Sequence, residues 1–293
     1  MRVTQSMLSG NMLRNLSTSY AKMGKLQNQI DTGKKVNRPS DDPVVAMKGI
    51  GYRTSLDKVE QFQRNIGEVN SWLDTTDDTF DKVGSAMQRA NELVIQAASD
   101  TNTEADRLKI QSELDQIREH MQNLANTKIG DKHIFSGTKT TTPLYDEETG
   151  YPEPELDPMK KSAFEKDVEI EVFDGISLKA NTNAVDLFRN IDKMFQDIKD
   201  GTVDYDAAIG TIDKQMNDLL TARANVGARL NRVELMDNRL QSQEIIATKQ
   251  MSENEDIDYE EAITNLITQE SIHSAALAIG SRIIQPSLAD FLR

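Results

Sequence analysis

The sequence predicts a mainly α protein: a long antiparallel, coiled-coil-like helical rod, a small β-rich insert at one end, and a separate helix at each terminus. Three observations carry this. Two long stretches alternate apolar residues at spacings of three and four, the period of a narrow helical seam. Strand signals are confined to one segment between those stretches. Aromatics make up only 5% of the 293 residues and charged residues 28%, a composition suited to long helices packed along seams rather than to one thick core.

The first helix is expected over residues 4 to 31, with Leu13, Leu16, Tyr20, Met23 and Ile30 on its seam and Gln27 filling the gap. It ends at a joint, "TGKKVNRPSDDPVVAMKG", residues 32 to 49. Gly33 suits a helix C-terminus, and Asp42-Pro43 reads as an N-cap followed by a first-turn proline. The first rod starts there. From Val59 its seam runs through Phe62, Ile66, Val69, Leu73, Thr76, Phe80, Val83, Met87, Ala90, Val94 and Ala97, a rod of roughly 60 Å at 1.5 Å per residue. Asp100 to Thr103 breaks it, and Thr101 with Glu104 offers a capping box. A further helix carries Ile110, Leu114, Ile117, Met121 and Leu124.

Four of the seven prolines, Pro143, Pro152, Pro154 and Pro158, fall in the segment after Gly130. Val168, Ile170 and Val172 alternate with charged residues ahead of Phe173-Asp174-Gly175. A three-residue loop with Gly175 left-handed would pair Val172 with Ile176 and Ile170 with Leu178. Helix returns near Val185 with Phe188, Ile191, Phe195 and Ile198. The second rod follows Gly201, with Ile209, Ile212, Met216, Leu219, Val226, Leu230, Val233, Leu240 and Ala247 on its seam and Arg223, Asp237 and Glu244 interrupting it. The acidic run Glu253 to Asp258 precedes a last helix with Ala262, Ile263, Leu266, Leu277 and Ile283, as the helix dipole favours. The expected parts are 1–42 with 252–293, 43–129 with 184–251, and the insert 130–183. Two rods about a compact insert pack antiparallel, which brings the chain ends together and leaves the insert at the far tip.

A formal charge of −14 disfavours nucleic acid and anionic membrane surfaces. No apolar stretch approaches the roughly 20 residues of a membrane span. The N-terminus has no secretory signal pattern, so conventional signals read as cytoplasmic. With no cysteine there are neither disulfides nor thiolate metal sites. Asp31-Thr32-Gly33 matches the aspartic-protease tripeptide but closes a helix and lacks a partner carboxylate. Gly33-Lys34 lacks the upstream glycine of a phosphate loop. His120, His133 and His273 share no metal-ligand spacing, and the acidic runs lack the glycine and last glutamate of a calcium loop. Trp72 and the methionines suit seam packing. No catalytic residue, metal or cofactor is expected.

The terminal helices remain. Each has an apolar seam and each is set off by a break. They either pair with each other within the monomer or bury their seams against neighbouring copies.

"TGKKVNRPSDDP" resembles the joint of bacterial flagellins, with Gly33, Asn37, Asp41, Asp42 and Pro43 as its marks, although "KKVNRPS" departs from the small-residue run common there. The resemblance covers about 130 residues at the start and 110 at the close. "KHIFSGTKTTTPLY" at 132 to 145, "ARANVGARLNRVE" at 222 to 234 and the end "IIQPSLADFLR" at 283 to 293 are similar, within that superfamily, to the hook-filament junction proteins (the hook-associated protein 3 family). What this implies is a structural protein, not an enzyme. It would be exported through the flagellar type III apparatus without a cleaved signal, which overrides the cytoplasmic reading. It would form a ring with copies of itself and contact flagellin, the neighbouring hook-associated junction protein and an export chaperone. The implied assembly positions are Leu13, Leu16, Tyr20, Met23, Ile30, Leu266, Leu277, Ile283 and Leu288. A flagellin is the alternative, and an enzyme with a site in the insert a distant third.

Overall fold

A computed structural model describes residues 5–99, 103–152 and 162–284. The chain divides into two compact units, Met1–Lys58 with Gln243–Arg293, and Val59–Ser242. Two helices, α2 (Pro43–Ala98) and α5 (Tyr205–Glu255), contribute to both.

In the Val59–Ser242 unit the seam expected for α2 is the one observed. Ile66, Val69, Leu73, Thr76, Phe80, Val83, Met87, Ala90, Val94 and Ala97 are all buried. On α5 one position recurs in strict heptads, Ile212, Leu219, Val226, Val233 and Leu240, and each of these residues is buried. Met216, Leu230 and the seam-breaking Arg223 and Asp237 lie half-buried beside it. Arg223 lies within reach of α2: its Nε meets Asp77 at 2.8 Å and its Nη1 meets Asp81 at 2.6 Å. Leu219 lies against Gly84, so the two helices run antiparallel, as expected.

Between them come α3 (Glu104–Ala125) and α4 (Val185–Lys199). The start of α3 is capped by Thr103, whose side chain accepts from the Asp106 N–H at 3.3 Å while Asp106 Oδ2 accepts from the Thr103 hydroxyl. The capping box is therefore Thr103 with Asp106, rather than Thr101 with Glu104; Thr101 lies outside the described residues. Arg118 grips Asp192 of α4 through Nε at 2.7 Å and Nη2 at 3.0 Å, and Gln122 adds a third donor at 2.8 Å. Both charges are largely buried, and the Asp192 carboxylate holds the Arg118 pKa above its ordinary value.

The segment between α3 and α4 holds two short antiparallel hairpins, β1 (Lys128–Ile129) with β2 (Lys132–His133) and β3 (Glu169–Phe173) with β4 (Ile176–Lys179). Gly175 is left-handed at φ 73°, and Ile170 faces Leu178 as expected. Opposite Ile176, however, stands Phe173 rather than Val172. The ladder shifts between Glu171 and Phe173, so a bulge absorbs the odd residue and a two-residue turn closes the hairpin. The bulge buries Val172 and leaves Phe173 to stack on Phe62 of α2, with the Arg239 guanidinium of α5 4.3 Å from its ring centroid.

Those contacts place the hairpin differently from the sequence expectation of a far tip. It lies along α2 near Phe62 and Asn65, whose amide donates to the Glu171 carbonyl, and not where α2 ends at Ala98. The reason is the α3–α4 pair. Arg89 of α2 bonds Glu113 of α3, so α3 runs back down α2 before the insert begins. The insert also shares the helices' core. Phe135, fully buried, stacks on Phe80 with centroids 5.6 Å apart and meets Phe188 edge-on at 5.1 Å.

Gly137, ending the "HIFSG" run, has φ 59°, and a Cβ there would run into the Phe164 carbonyl. Both features forbid a side chain. Gly137→Ala is expected to destabilise this unit by about 2 kcal/mol or more, read as a lower urea midpoint at unchanged slope.

Candidate assembly surface

The other unit contains α1 (Gln5–Thr32) and α6 (Tyr259–Ile284), which pair along their length. The inward stripe of α6 is Ala262, Leu266, Gln269, His273, Ala276 and Gly280, alternating four and three and all buried or half-buried. Its counterpart on α1 is Met12, Leu16, Ser19, Met23, Leu26 and Ile30. Gln269 donates to the buried Ser19 hydroxyl at 2.8 Å. The Met12 side chain fills the space a side chain at Gly280 would occupy. His273 lies against the Tyr20 ring at 6.1 Å between centroids.

This seam agrees with the sequence reading at Leu16, Met23, Ile30 and Leu266, which the pairing partly covers. It differs at three α1 positions: Met12, Ser19 and Leu26 face inward in place of Leu13, Tyr20 and Gln27. Leu13 stays 59% exposed, Tyr20 69% and Leu277 50%. The Ile283 side chain and Leu288 lie outside the described residues. Spacing alone could have found the true stripe, since 262, 266, 269, 273, 276 and 280 keep the period; its small and polar members hid it from a search for apolar residues.

Beyond the inward stripe, α6 exposes Tyr259, Ile263, Ile267, Ile272 and Ile279, and α1 exposes Met7 and Leu8. Apolar residues therefore flank the inward stripe of α6, and among the described residues only the stripe itself is covered.

The joint between these helices is closely tied. Gly33 ends α1 at φ 69°. The Thr32 hydroxyl, with one proton to donate, lies 2.7 Å from the Asn28 carbonyl and 2.8 Å from Asn37 Oδ1, and the Asn37 amide donates to the Asn28 carbonyl at 3.2 Å. Asp41 pairs with Lys25 at 3.2 Å. Asp42 caps α2, its carboxylate accepting from the N–H groups of Val44 and Val45 at 2.9 and 3.1 Å, and Pro43 is the first helical residue. A single backbone bridge links Lys34 to Asp256, with Lys35 N–H on the Glu255 carbonyl at 2.7 Å and Ile257 N–H on the Gly33 carbonyl at 2.9 Å. Lys34 Nζ lies 2.7 Å from Asp256 and 3.4 Å from Glu255. The Asp256 contact raises the Lys34 pKa, and Lys34, then Ser252, lowers that of Asp256.

No group of three or more acidic or histidine side chains is placed to hold a metal ion among the described residues. None of the described helices is long and apolar enough to cross a membrane.

The sequence matches a known family at both ends. The profile of the bacterial flagellin N-terminal helical region matches residues 3–140, and that of the C-terminal helical region residues 209–292. The chain belongs to the flagellin family. It is a structural component of the bacterial flagellum. Flagellar hook-associated protein 3 of Escherichia coli (strain K12) is 26% identical over 94% of this chain and 95% of its own. A flagellin of Bacillus subtilis (strain 168) is 22% identical over 95% of each chain. The crystal structure of FlgL from Bacillus cereus shares the fold at TM-score 0.55 and 24% identity, across 69% of this chain and 99% of that one.

Proposed function

We propose that this flagellin-family chain forms the junction ring between hook and filament, adapting one to the other so that flagellin can polymerise. The observation that carries this is the end-to-end likeness to hook-associated protein 3. The α1–α6 pair is the assembly element. Leu13, Tyr20 and Leu277 bury against neighbouring copies, and Ile283 and Leu288 are assigned the same role from the sequence. Leu16, Met23, Ile30 and Leu266 hold the pair together, and the joint marked by Gly33, Asn37, Asp41, Asp42 and Pro43 sets where the pair begins. Burying each exposed Leu or Ile is worth about 1.5–3 kcal/mol, set against the entropy of ordering the chain.

Terminal helices whose apolar flanks are exposed among the described residues suit a protein that orders on assembly after passage, without a cleaved signal, through the flagellar export apparatus. The partners in this reading are copies of itself, the neighbouring hook-associated junction protein, flagellin and an export chaperone. The test is antibody labelling of intact flagellated cells viewed by electron microscopy. A single spot between hook and filament is expected. Label along the whole filament would make the chain a bulk flagellin, the reading its likeness to the Bacillus subtilis protein favours.

A further inference from the structure

The charged cluster at the joint has a centre, and it is Glu255. This last residue of α5 keeps only 8% of its side chain exposed. It lies over Gly49 of α2, where any Cβ would collide with its carboxylate. Its Oε2 accepts from Arg53 Nη2 of α2 at 2.6 Å and lies 3.4 Å from Lys34 Nζ of the loop after α1. Its carbonyl accepts the Lys35 N–H, and the preceding Asn254 amide donates to the Val45 carbonyl at 3.0 Å. The next residue, Asp256, holds Lys34 from the other side and leads into α6. One glutamate thus touches α2 and the α1–α2 loop, and it stands where α5 passes into α6.

We propose that Glu255 is the positioning residue of the joint, an ionic latch that fixes the α1–α6 pair to the start of α2 and the end of α5. A nearly buried carboxylate is tolerated only with its cations in place, so it selects the one arrangement in which Arg53, Lys34 and the gap at Gly49 coincide. The backbone bridge between Lys34 and Asp256 is a single pairing and cannot set that geometry by itself. The Lys82–Asp78 and Lys249–Glu253 pairs on the same helices, by contrast, join residues one turn apart on exposed faces and bring no second element into register. The assignment rests on the joint's own geometry and holds for a junction protein or a filament subunit alike.

The test is hydrogen exchange, followed by mass spectrometry, on the full-length chain. The reporters are the Lys35 and Ile257 amides, which donate across the joint. In Glu255→Gln and in Arg53→Gln these amides are expected to exchange at least about ten-fold faster than in the parent chain. The double variant should be no faster than the faster of the two single ones, because the Arg53–Glu255 pair is already lost in each. Gly49→Ala, which expels the carboxylate while keeping its charge, should match them. Exchange in the β3–β4 hairpin should not change. Single-variant rates within two-fold of the parent would overturn the proposal, as would effects of the two substitutions that simply multiply. So would unprotected Lys35 and Ile257 amides in the parent, or faster exchange in the hairpin as well.

Discussion

Phe135→Ala is expected to remove about 3–5 kcal/mol from the Val59–Ser242 unit, out of the 5–15 kcal/mol that holds a typical domain folded. The ring is fully buried and meets Phe80 on one side and Phe188 on the other. Its loss therefore leaves a cavity between α2, α4 and the insert and breaks two aromatic pairs, each worth about 0.5–1.5 kcal/mol beyond the area they cover. The measurement is convenient because the protein has one tryptophan. Trp72 is buried in the same unit, so its fluorescence in a urea titration reports that unit. Leu220, 55% exposed on α5, is the control; its replacement by alanine should cost under about 0.5 kcal/mol. A Phe135→Ala loss below about 1 kcal/mol would mean that the insert sits on the helices without sharing their core.

The α2 seam was readable in the sequence because every buried position from Ile66 to Ala97 also carries an apolar or threonine side chain, so hydrophobicity and burial rise together. Along α1 they come apart. Leu13 and Tyr20 are more apolar than Ser19, yet Ser19 faces α6, since a close approach of two helices favours small residues and a hydrogen bond can stand in for apolar contact. Hydrophobicity ranks what would gain from burial, and part of that gain on these helices is left for another surface.

The insert shows a second kind of limit. Its strand alternation was visible, but its place depended on α3 turning back along α2, and no local pattern encodes which way a helix runs after a break. The joint shows a third. Gly33, Asp42 and Pro43 act within a few residues of themselves and were readable as helix stop and start signals. Glu255 was not. It sits in an acidic run that reads as a solvated face, and Arg53, which makes its burial tolerable, is 202 residues away in the chain.

Removing residues 1 to 30 is the change with the largest expected effect on function. It deletes Met12, Leu16, Ser19, Met23, Leu26 and Ile30, and with them every α1 side chain of the seam facing α6, together with the exposed Leu13 and Tyr20. Label at the junction should vanish altogether, because α6 alone would present its inward stripe and its flanks to water at once, at about 1.5–3 kcal/mol for each uncovered large side chain. The Val59–Ser242 unit should not notice. None of its core residues comes from α1, so the urea midpoint followed by Trp72 fluorescence should stay at its full-length value. The two readouts separate the possible failures. If the junction label survives, assembly does not depend on the α1–α6 pair, and the exposed apolar flanks need another explanation. If the Trp72 midpoint falls with the deletion, the rod depends on its terminal helix for folding, and a loss of assembly would then report damage to the rod rather than loss of an interface.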